Sequence, residues 1–190
     1  MQTSNRRHAI IPTSLGEVTL VAVDGALTGV YFAYHWYQSA GRDFGPRVPI
    51  ASDPLLSNAS RQLEEYLQGA REAFDLPVQT QGDAFQEQVW ALVKEIQYGE
   101  TATYGELATT LGSLALARDV GQAVGRNPLA VIVPCHRVVG KDGKLTGYAG
   151  GLSRKRSLLE LEARQRFLRA GTESPHLRQQ SSLALAAGGR

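Results

Sequence analysis

Residues 129–140 read Leu-Ala-Val-Ile-Val-Pro-Cys-His-Arg-Val-Val-Gly. The first five are apolar and rich in β-branched side chains, a pattern typical of a fully buried β-strand. Such a strand would deliver the chain directly to Cys135 and His136. The stretch therefore predicts that a nucleophile and a candidate base lie at the end of a buried element, with the rest of the fold built around them.

Cys135 is the only cysteine among the 190 residues. A lone cysteine is most often a small, inert member of a hydrophobic core. Here His136 and Arg137 follow it directly, and imidazole and guanidinium groups favour the thiolate, which is the nucleophilic form. One cysteine cannot form an internal disulfide, and with four scattered histidines it provides no zinc-ligand spacing, so we expect no metal.

Two short helices are predicted upstream of the cysteine. Thr103 and Glu106 form a capping box that opens a helix over 104–111. Gly112 would end this helix, and a second helix is expected over 114–124. Two short helices separated by a glycine turn have the dimensions of a helix-turn-helix, although a plain helical hairpin gives the same pattern.

The N-terminal part of the chain predicts a small α/β domain. Residues 17–23 and 26–33 have strand composition and are joined by an Asp-Gly pair, which favours a hairpin. Asp53 and Pro54 supply an N-cap and a first helical residue for an apolar-striped helix. Residues 74–78 are expected to add one more strand.

A Gln-Thr-Gln-Gly stretch, followed by a second capping box at Asp83 and Gln86, indicates a domain boundary. We therefore predict an α/β domain over 1–79 and a second domain over 80–169, which contains Cys135 and the two short helices. The small, polar residues 170–190 are expected to form a flexible tail.

Charge is distributed unevenly along the chain. Residues 1–117 carry 7 Lys and Arg against 13 Asp and Glu, whereas residues 118–169 carry 11 against 4. A basic face of this kind suits a polyanion such as DNA, although a solvated surface would give the same count. No stretch has the length and apolarity of a signal peptide or membrane span, so we expect a cytoplasmic protein.

The motif around Cys135 resembles the active-site signature of the O6-alkylguanine-DNA alkyltransferases. The resemblance covers residues 83–162 and is carried by segments at 98–100, 103–105, 125–128, 133–140, 143–148 and 158–162. It implies an α+β fold, in which a ribonuclease H-like domain is followed by a mainly helical, winged-helix-like domain with a helix-turn-helix.

The resemblance implies roles for five catalytic residues. Cys135 would accept the alkyl group, His136 would remove its proton through a water, and Glu162 would orient His136. Asn127 would brace the turn that leads to the cysteine, and Tyr104 would crowd the flipped nucleotide and donate to N3 of guanine. The position of Glu162, three and four residues after two leucines, independently places its carboxylate on an apolar helix face, where it needs a partner. A backbone amide would also satisfy it.

The same resemblance implies how DNA is bound. The second helix of the helix-turn-helix would enter the minor groove, and Arg118 would fill the space left by the extruded base. Read without the resemblance, Arg118 is a surface arginine and Tyr104 a buried tyrosine. The remaining residues expected to contact DNA or the base are Ala117, Gly121, Val138, Tyr148, Ala149 and Gly150.

The implied reaction is irreversible, stoichiometric transfer from O6-alkylguanine, and from O4-alkylthymine, without a cofactor. The protein would be a monomer in solution that binds DNA cooperatively or singly. Rival interpretations are a cysteine hydrolase using Cys135 and His136, a lesion sensor of the kind that lacks the acceptor cysteine, and a regulator with an added metal module. The sequence leaves open the alkyl lengths accepted, the function of the N-terminal domain and the function of the aromatic run 31–37.

Overall fold

The computed structural model describes residues 5–33 and 43–172 of the chain. The strands are β1 Arg6–Ile11, β2 Val18–Val23, β3 Ala26–Phe32, β4 Ala102–Thr103 and β5 Val138–Val139. The helices are α1 Pro54–Leu67, α2 Ala84–Lys94, α3 Tyr104–Thr110, α4 Ala117–Gly125 and α5 Leu152–Thr172. In these residues a small antiparallel sheet with one helix is followed by a mainly helical part, which confirms the α+β class.

The N-terminal sheet has the order β1-β2-β3, and both pairings are antiparallel. The predicted hairpin between β2 and β3 is confirmed, with Asp24 at φ 51° in the tight turn. Strand β1 was not predicted, because it begins with charged residues and buries only Ala9 and Ile11 fully. Helix α1 packs on the sheet, and its predicted N-cap is confirmed: Asp53 accepts a hydrogen bond from the Leu56 amide at 2.9 Å.

The outer edge of β3 forms backbone hydrogen bonds with two later segments of the chain. Val30 donates to Pro128 O at 2.8 Å and accepts from Ala130 N at 3.2 Å. Leu27 makes the equivalent pair of bonds with residues 77 and 79. The strand predicted over 74–78 is therefore wrong, because only Val78 forms a bridge with the sheet. These two segments cover an edge that would otherwise expose unpaired backbone groups.

Both predicted capping boxes are confirmed, at the N-termini of α2 and α3. The helix predicted over 114–124 is partly wrong. Residues 114–116 form a 3-10 turn, whose first amides are capped by Ser113, and α4 begins only at Ala117. Helix α4 packs on α2, where the indole of Trp90 donates to the Ala123 carbonyl at 2.8 Å.

Residues 129–133 are buried as predicted, apart from the half-buried Ile132, but they do not form a strand. The Val133 amide donates back to the Leu129 carbonyl at 2.8 Å, and Val131 lies at φ 72° in the left-handed region. The segment is thus a tight turn, which we call the 129–133 turn. Local composition favours a strand, whereas the side-chain hydrogen bonds of Asn127, described below, favour the turn.

Helix α5 continues to Thr172, so the predicted tail does not begin at residue 170, and residues 173–190 lie outside the described part. Of the aromatic run 31–37, only residues 31–33 are described. Within the described residues, no helix combines the length and apolarity needed to span a bilayer.

Asp53 allows the helix cap to be separated from an ion pair, because its second oxygen lies 2.5 Å from Arg7 Nε. We expect Asp53→Ala to lower the free energy of unfolding by about 2 kcal/mol, and Asp53→Asn, which retains the cap, by less than about 1 kcal/mol. Urea denaturation of both variants measures the difference. Equal losses would show that the ion pair, and not the cap, stabilises α1.

Candidate active site

Four parts of the chain meet at Cys135. The 129–133 turn leads through Pro134 into a 3-10 turn at Cys135–Arg137, and α5 and α1 pack against that turn. Cys135 is 5% exposed, and His136 and Glu162 are fully buried. The site is therefore a polar cluster enclosed by the core, in which every charged group needs a partner.

Asn127 braces the turn and also contacts the sulfur. Its carboxamide nitrogen lies 3.0 Å from Cys135 Sγ and 2.9 Å from the Val133 carbonyl, and its oxygen accepts from the Leu129 amide at 2.9 Å. Asn127 is 2% exposed, so these bonds are shielded from water. The Asn127 side chain thus holds both the conformation of the turn and the position of the sulfur.

The charge environment of the sulfur differs from the prediction. Burial raises the pKa of the Cys135 thiol, while the Asn127 hydrogen bond and the Lys155 charge lower it. Arg137 does not stabilise the Cys135 thiolate as expected, because its guanidinium donates to Glu162 at 3.0 Å and to the Ile96 carbonyl at 2.6 Å. The resting sulfur is therefore a thiol that needs a base.

Lys155 is the cation that sequence reasoning missed. It is fully buried, and its ammonium donates to the carbonyls of Val138 at 2.6 Å and Thr146 at 2.9 Å. Burial lowers the pKa of Lys155 to about 8, although the nearby Cys135 sulfur raises it. The signal that could have identified Lys155 is its spacing, three residues before Leu158 and seven before Glu162, on one helix face.

His136 and Glu162 form a buried pair, with Nε2 and Oε1 separated by 2.6 Å. Burial alone would raise the pKa of the Glu162 carboxyl, but hydrogen bonds from His136 and Tyr66 and the charge of Arg137 lower it to about 2. Burial also lowers the pKa of His136, so its imidazole is neutral at pH 7. Since an ionised carboxylate only accepts hydrogen bonds, Nε2 carries the proton and Nδ1 has the free lone pair.

Within the described residues, Nδ1 of His136 is buried and makes no hydrogen bond. Glu162 Oε2 accepts from the Gly99 amide at 2.8 Å as well as from Arg137. The Glu162 carboxylate thus has both of the partners considered from the sequence, the His136 imidazole and a backbone amide. Glu160, two residues earlier, is exposed.

Tyr148, Ala149 and Gly150 are all buried, and burial together with the nearby Cys135 sulfur raises the pKa of Tyr148. A Cβ atom on Gly150 would lie 2.7 Å from the Phe32 ring and 2.9 Å from the Tyr148 ring, which explains why glycine occupies this position. The Val138 carbonyl already accepts from Lys155, and a carbonyl oxygen has a second lone pair.

The predicted DNA-contacting residues lie on and around α3 and α4. Arg118 is exposed, and Ala117 and Gly121 are half-buried. Tyr104 is also half-buried, and its ring faces Gly121, where an added Cβ would lie 3.7 Å from it. Ala123 of α4, by contrast, is 3% exposed and packs against α2, so it is not available to DNA.

Eight of the eleven basic residues in 118–169 are exposed, and two of these eight, Arg166 and Arg169, form ion pairs with Glu100 and Glu72. Arg137 and Lys155 instead contribute to the buried site. No group of three or more His, Cys, Asp or Glu side chains with the geometry of a metal site occurs among residues 5–33 and 43–172.

Two family models match the chain in succession. The 6-O-methylguanine DNA methyltransferase ribonuclease-like domain matches residues 7–80, and the DNA-binding domain of the same family matches residues 84–164. The fold and the site around Cys135 thus define a two-domain class of DNA methyltransferases. This agrees with the ribonuclease H-like and helix-turn-helix domains that were predicted.

Relatives and solved structures give the same result. A methylated-DNA--protein-cysteine methyltransferase of Methanosarcina acetivorans is 43% identical over 155 residues, covering 82% of this chain and 97% of the relative. The Haemophilus influenzae protein of the same name is 44% identical, covering 88% and 91%. The crystal structure of Mycobacterium tuberculosis OGT in complex with DNA matches with a TM-score of 0.75 at 40% identity, covering 84% and 94%. The chain belongs to the 6-O-methylguanine DNA methyltransferase family.

The Asn127 contact with sulfur has a measurable consequence. Because a donor to sulfur stabilises the thiolate, we expect Asn127→Ala to raise the pKa of Cys135 further. The rate of alkylation by iodoacetamide should then reach half its maximum at a higher pH than in the wild type. Asn58→Ala, which removes an asparagine bonded to Arg61 and Gln62 of α1, should leave the midpoint unchanged. An unshifted midpoint in Asn127→Ala would exclude the sulfur contact as a determinant of reactivity.

Proposed function

We propose that this chain repairs DNA by transferring an alkyl group from O6 of guanine to Cys135, irreversibly and once per molecule. The observation that carries the proposal is the cluster of Cys135, Asn127, His136 and Glu162, with Sγ held at 3.0 Å by the asparagine and the imidazole held at 2.6 Å by the carboxylate. The family match and the exposed basic surface support DNA as the partner.

The reaction begins with removal of the thiol proton. Neutral His136 is the base, acting at Nδ1 through a bridging water, and Glu162 stabilises the imidazolium that forms. The sulfur anion then forms a bond to the alkyl carbon while the bond from that carbon to O6 breaks. The electron pair of the broken bond stays on the guanine, which takes up one proton, so the proton lost by sulfur is balanced.

The departing guanine needs hydrogen-bond donors at the atoms on which negative charge develops. In this proposal the Ala149 amide donates to O6 and the Tyr104 hydroxyl donates to N3. The carbonyls of Cys135 and Val138 accept from the exocyclic amine, and the Tyr148 ring packs against the base. The buried Tyr148 hydroxyl has no partner among the described residues, which is consistent with a site shaped for an additional polar molecule.

An alkyl group at O6 of a stacked base is out of reach of a sulfur that is 5% exposed, so the nucleotide must leave the duplex. Helix α4 enters the minor groove, and the exposed Arg118 occupies the vacated stack. O4-alkylthymine, which presents a similar ether carbon, is a second substrate. The protein acts as a monomer in the cytoplasm.

Transfer ends the activity of each molecule, because regenerating the thiol would need a second nucleophile to attack the alkyl carbon of the thioether. Cys135 is the only cysteine of the chain. We expect a duplex with one O6-methylguanine to yield one equivalent of repaired DNA and a mass increase of one methyl group, about 14 Da, on the peptide containing Cys135.

Cys135→Ala is the control, and it should bind the duplex without any transfer. Repair of several equivalents of DNA per protein would refute single use, and a mass increase on another residue would refute Cys135 as the acceptor.

Arg118 can be tested with two substrates that differ in their need for base extrusion. Arg118→Ala should slow transfer from duplex O6-methylguanine by about tenfold or more, since unstacking costs a few kcal/mol, and should leave the reaction with free O6-benzylguanine near the wild-type rate. Arg164→Ala, which removes an exposed arginine of α5, should change neither rate by as much. Equal losses on both substrates would exclude Arg118 from the extrusion step.

A further inference from the structure

Tyr66 of α1 reaches across from the N-terminal part of the chain to the catalytic carboxylate. The residue is fully buried, and its hydroxyl donates a short hydrogen bond to Glu162 Oε1. The direction of the bond is set by the two groups, because Glu162 is ionised and burial raises the pKa of Tyr66 well above its ordinary value. In the sequence, Tyr66 is only one member of the apolar stripe of α1.

The same carboxylate oxygen accepts the His136 proton. Oε1 lies 2.6 Å from Nε2, and the Tyr66 oxygen lies 3.4 Å from that nitrogen. Arg137 Nε also donates to this oxygen, at the longer distance of 3.2 Å. Tyr66 and His136 are thus the two closest of three donors to one oxygen, and each of the two weakens the bond that the other makes. On Oε2, the Gly99 amide and Arg137 fix the other half of the carboxylate.

We propose that Tyr66 is a positioning residue for the transfer reaction, which acts through Glu162 to hold the carboxylate in place and to limit the proton affinity of His136. The imidazole then stays neutral and available as a base. This inference rests on the proposed function, since it assigns Tyr66 to that reaction.

Other groups also face His136 and have to be considered. Glu162 and Lys155 approach it from α5, and Arg137 and Cys135 adjoin it in the chain. Tyr98, in the segment after α2, packs edge-on against the Tyr66 ring at 5.8 Å. Tyr66→Phe leaves all of these in place and removes only one donor from Oε1. With one donor fewer, the carboxylate attracts the imidazole proton more strongly, so the pKa of His136 rises.

Tyr98 provides a matched control within the same cluster. The centroid of its ring lies 5.5 Å from Cζ of Arg137. Burial together with the Glu162 charge raises the pKa of Tyr98 to about 12. Its hydroxyl, however, is buried without a hydrogen-bond partner among the described residues. Tyr98→Phe therefore makes the same chemical change beside Tyr66 without removing a donor from Glu162.

The test is the pH profile of single-turnover transfer from free O6-benzylguanine, measured from about pH 5 to about pH 9 in the wild type and both variants. For Tyr66→Phe, we expect the acid limb to move upward by about half a pH unit or more, because a protonated His136 cannot act as the base. Tyr98→Phe should retain the wild-type profile. A Tyr66→Phe profile that coincides with the wild type, or one that falls equally at every pH, would overturn the inference.

A second measurement does not depend on activity. NMR titration of the labelled His136 ring, assigned with His136→Gln, should give a higher pKa in Tyr66→Phe than in the wild type or Tyr98→Phe. If the wild type does not alkylate Cys135, the proposed function fails, while the titration still decides whether Tyr66 controls the imidazole. An unchanged His136 pKa in Tyr66→Phe would refute that control.

Discussion

The ionised carboxylate of Glu162, fully enclosed by the core, is the constraint on which the rest of the site depends. An unpaired charge in such a place is prohibitively costly, so its oxygens have to be satisfied by donors from several parts of the chain. They accept hydrogen bonds from the His136 imidazole, the Arg137 guanidinium, the Gly99 amide and the Tyr66 hydroxyl. Satisfying one carboxylate therefore brings together α1, α5, the segment after α2 and the 3-10 turn at Cys135–Arg137.

This constraint explains why the two parts of the chain are joined so closely. Helix α5 contacts the N-terminal part at two levels: Glu162 accepts from Tyr66, and Arg154 donates to the Leu15 carbonyl at 2.7 Å. Strand β3 adds backbone hydrogen bonds to residues 128 and 130. The N-terminal sheet thus supports the 129–133 turn directly, which gives this part of the chain a structural function that its composition does not reveal.

Sequence patterns predicted the features that depend on neighbours three or four residues apart. The capping boxes at Asp83 and Thr103, the cap at Asp53 and the hairpin turn at Asp24 were all correct, because each is determined by local hydrogen bonds. The motif around Cys135 was recognisable, and its resemblance to a known family implied the pairing of Glu162 with His136. The place of Glu162 on an apolar helix face predicted only that its carboxylate needs a partner.

The errors concern side-chain hydrogen bonds that composition and spacing do not reveal, most of them between distant residues. A run of β-branched residues normally predicts a strand, but Asn127 holds residues 129–133 in a turn. Lys155 and Tyr66 each follow a helical spacing that packing alone would explain, and only the folded chain shows that their polar ends reach Val138 and Glu162. Arg137 was assigned to the sulfur from adjacency, whereas its side chain is directed to the carboxylate.

Val131 shows what this arrangement demands of the backbone. A β-branched residue at φ 72° is sterically unfavourable by about 1–3 kcal/mol, so the surrounding packing has to impose the conformation. Four of the five side chains of the 129–133 turn are buried, and Asn127 bonds to its backbone at both ends, so packing and hydrogen bonds hold the turn against this preference. The turn that leads to the sulfur is consequently stiff, and under the proposed function the movement that brings the reacting atoms together falls to the nucleic acid.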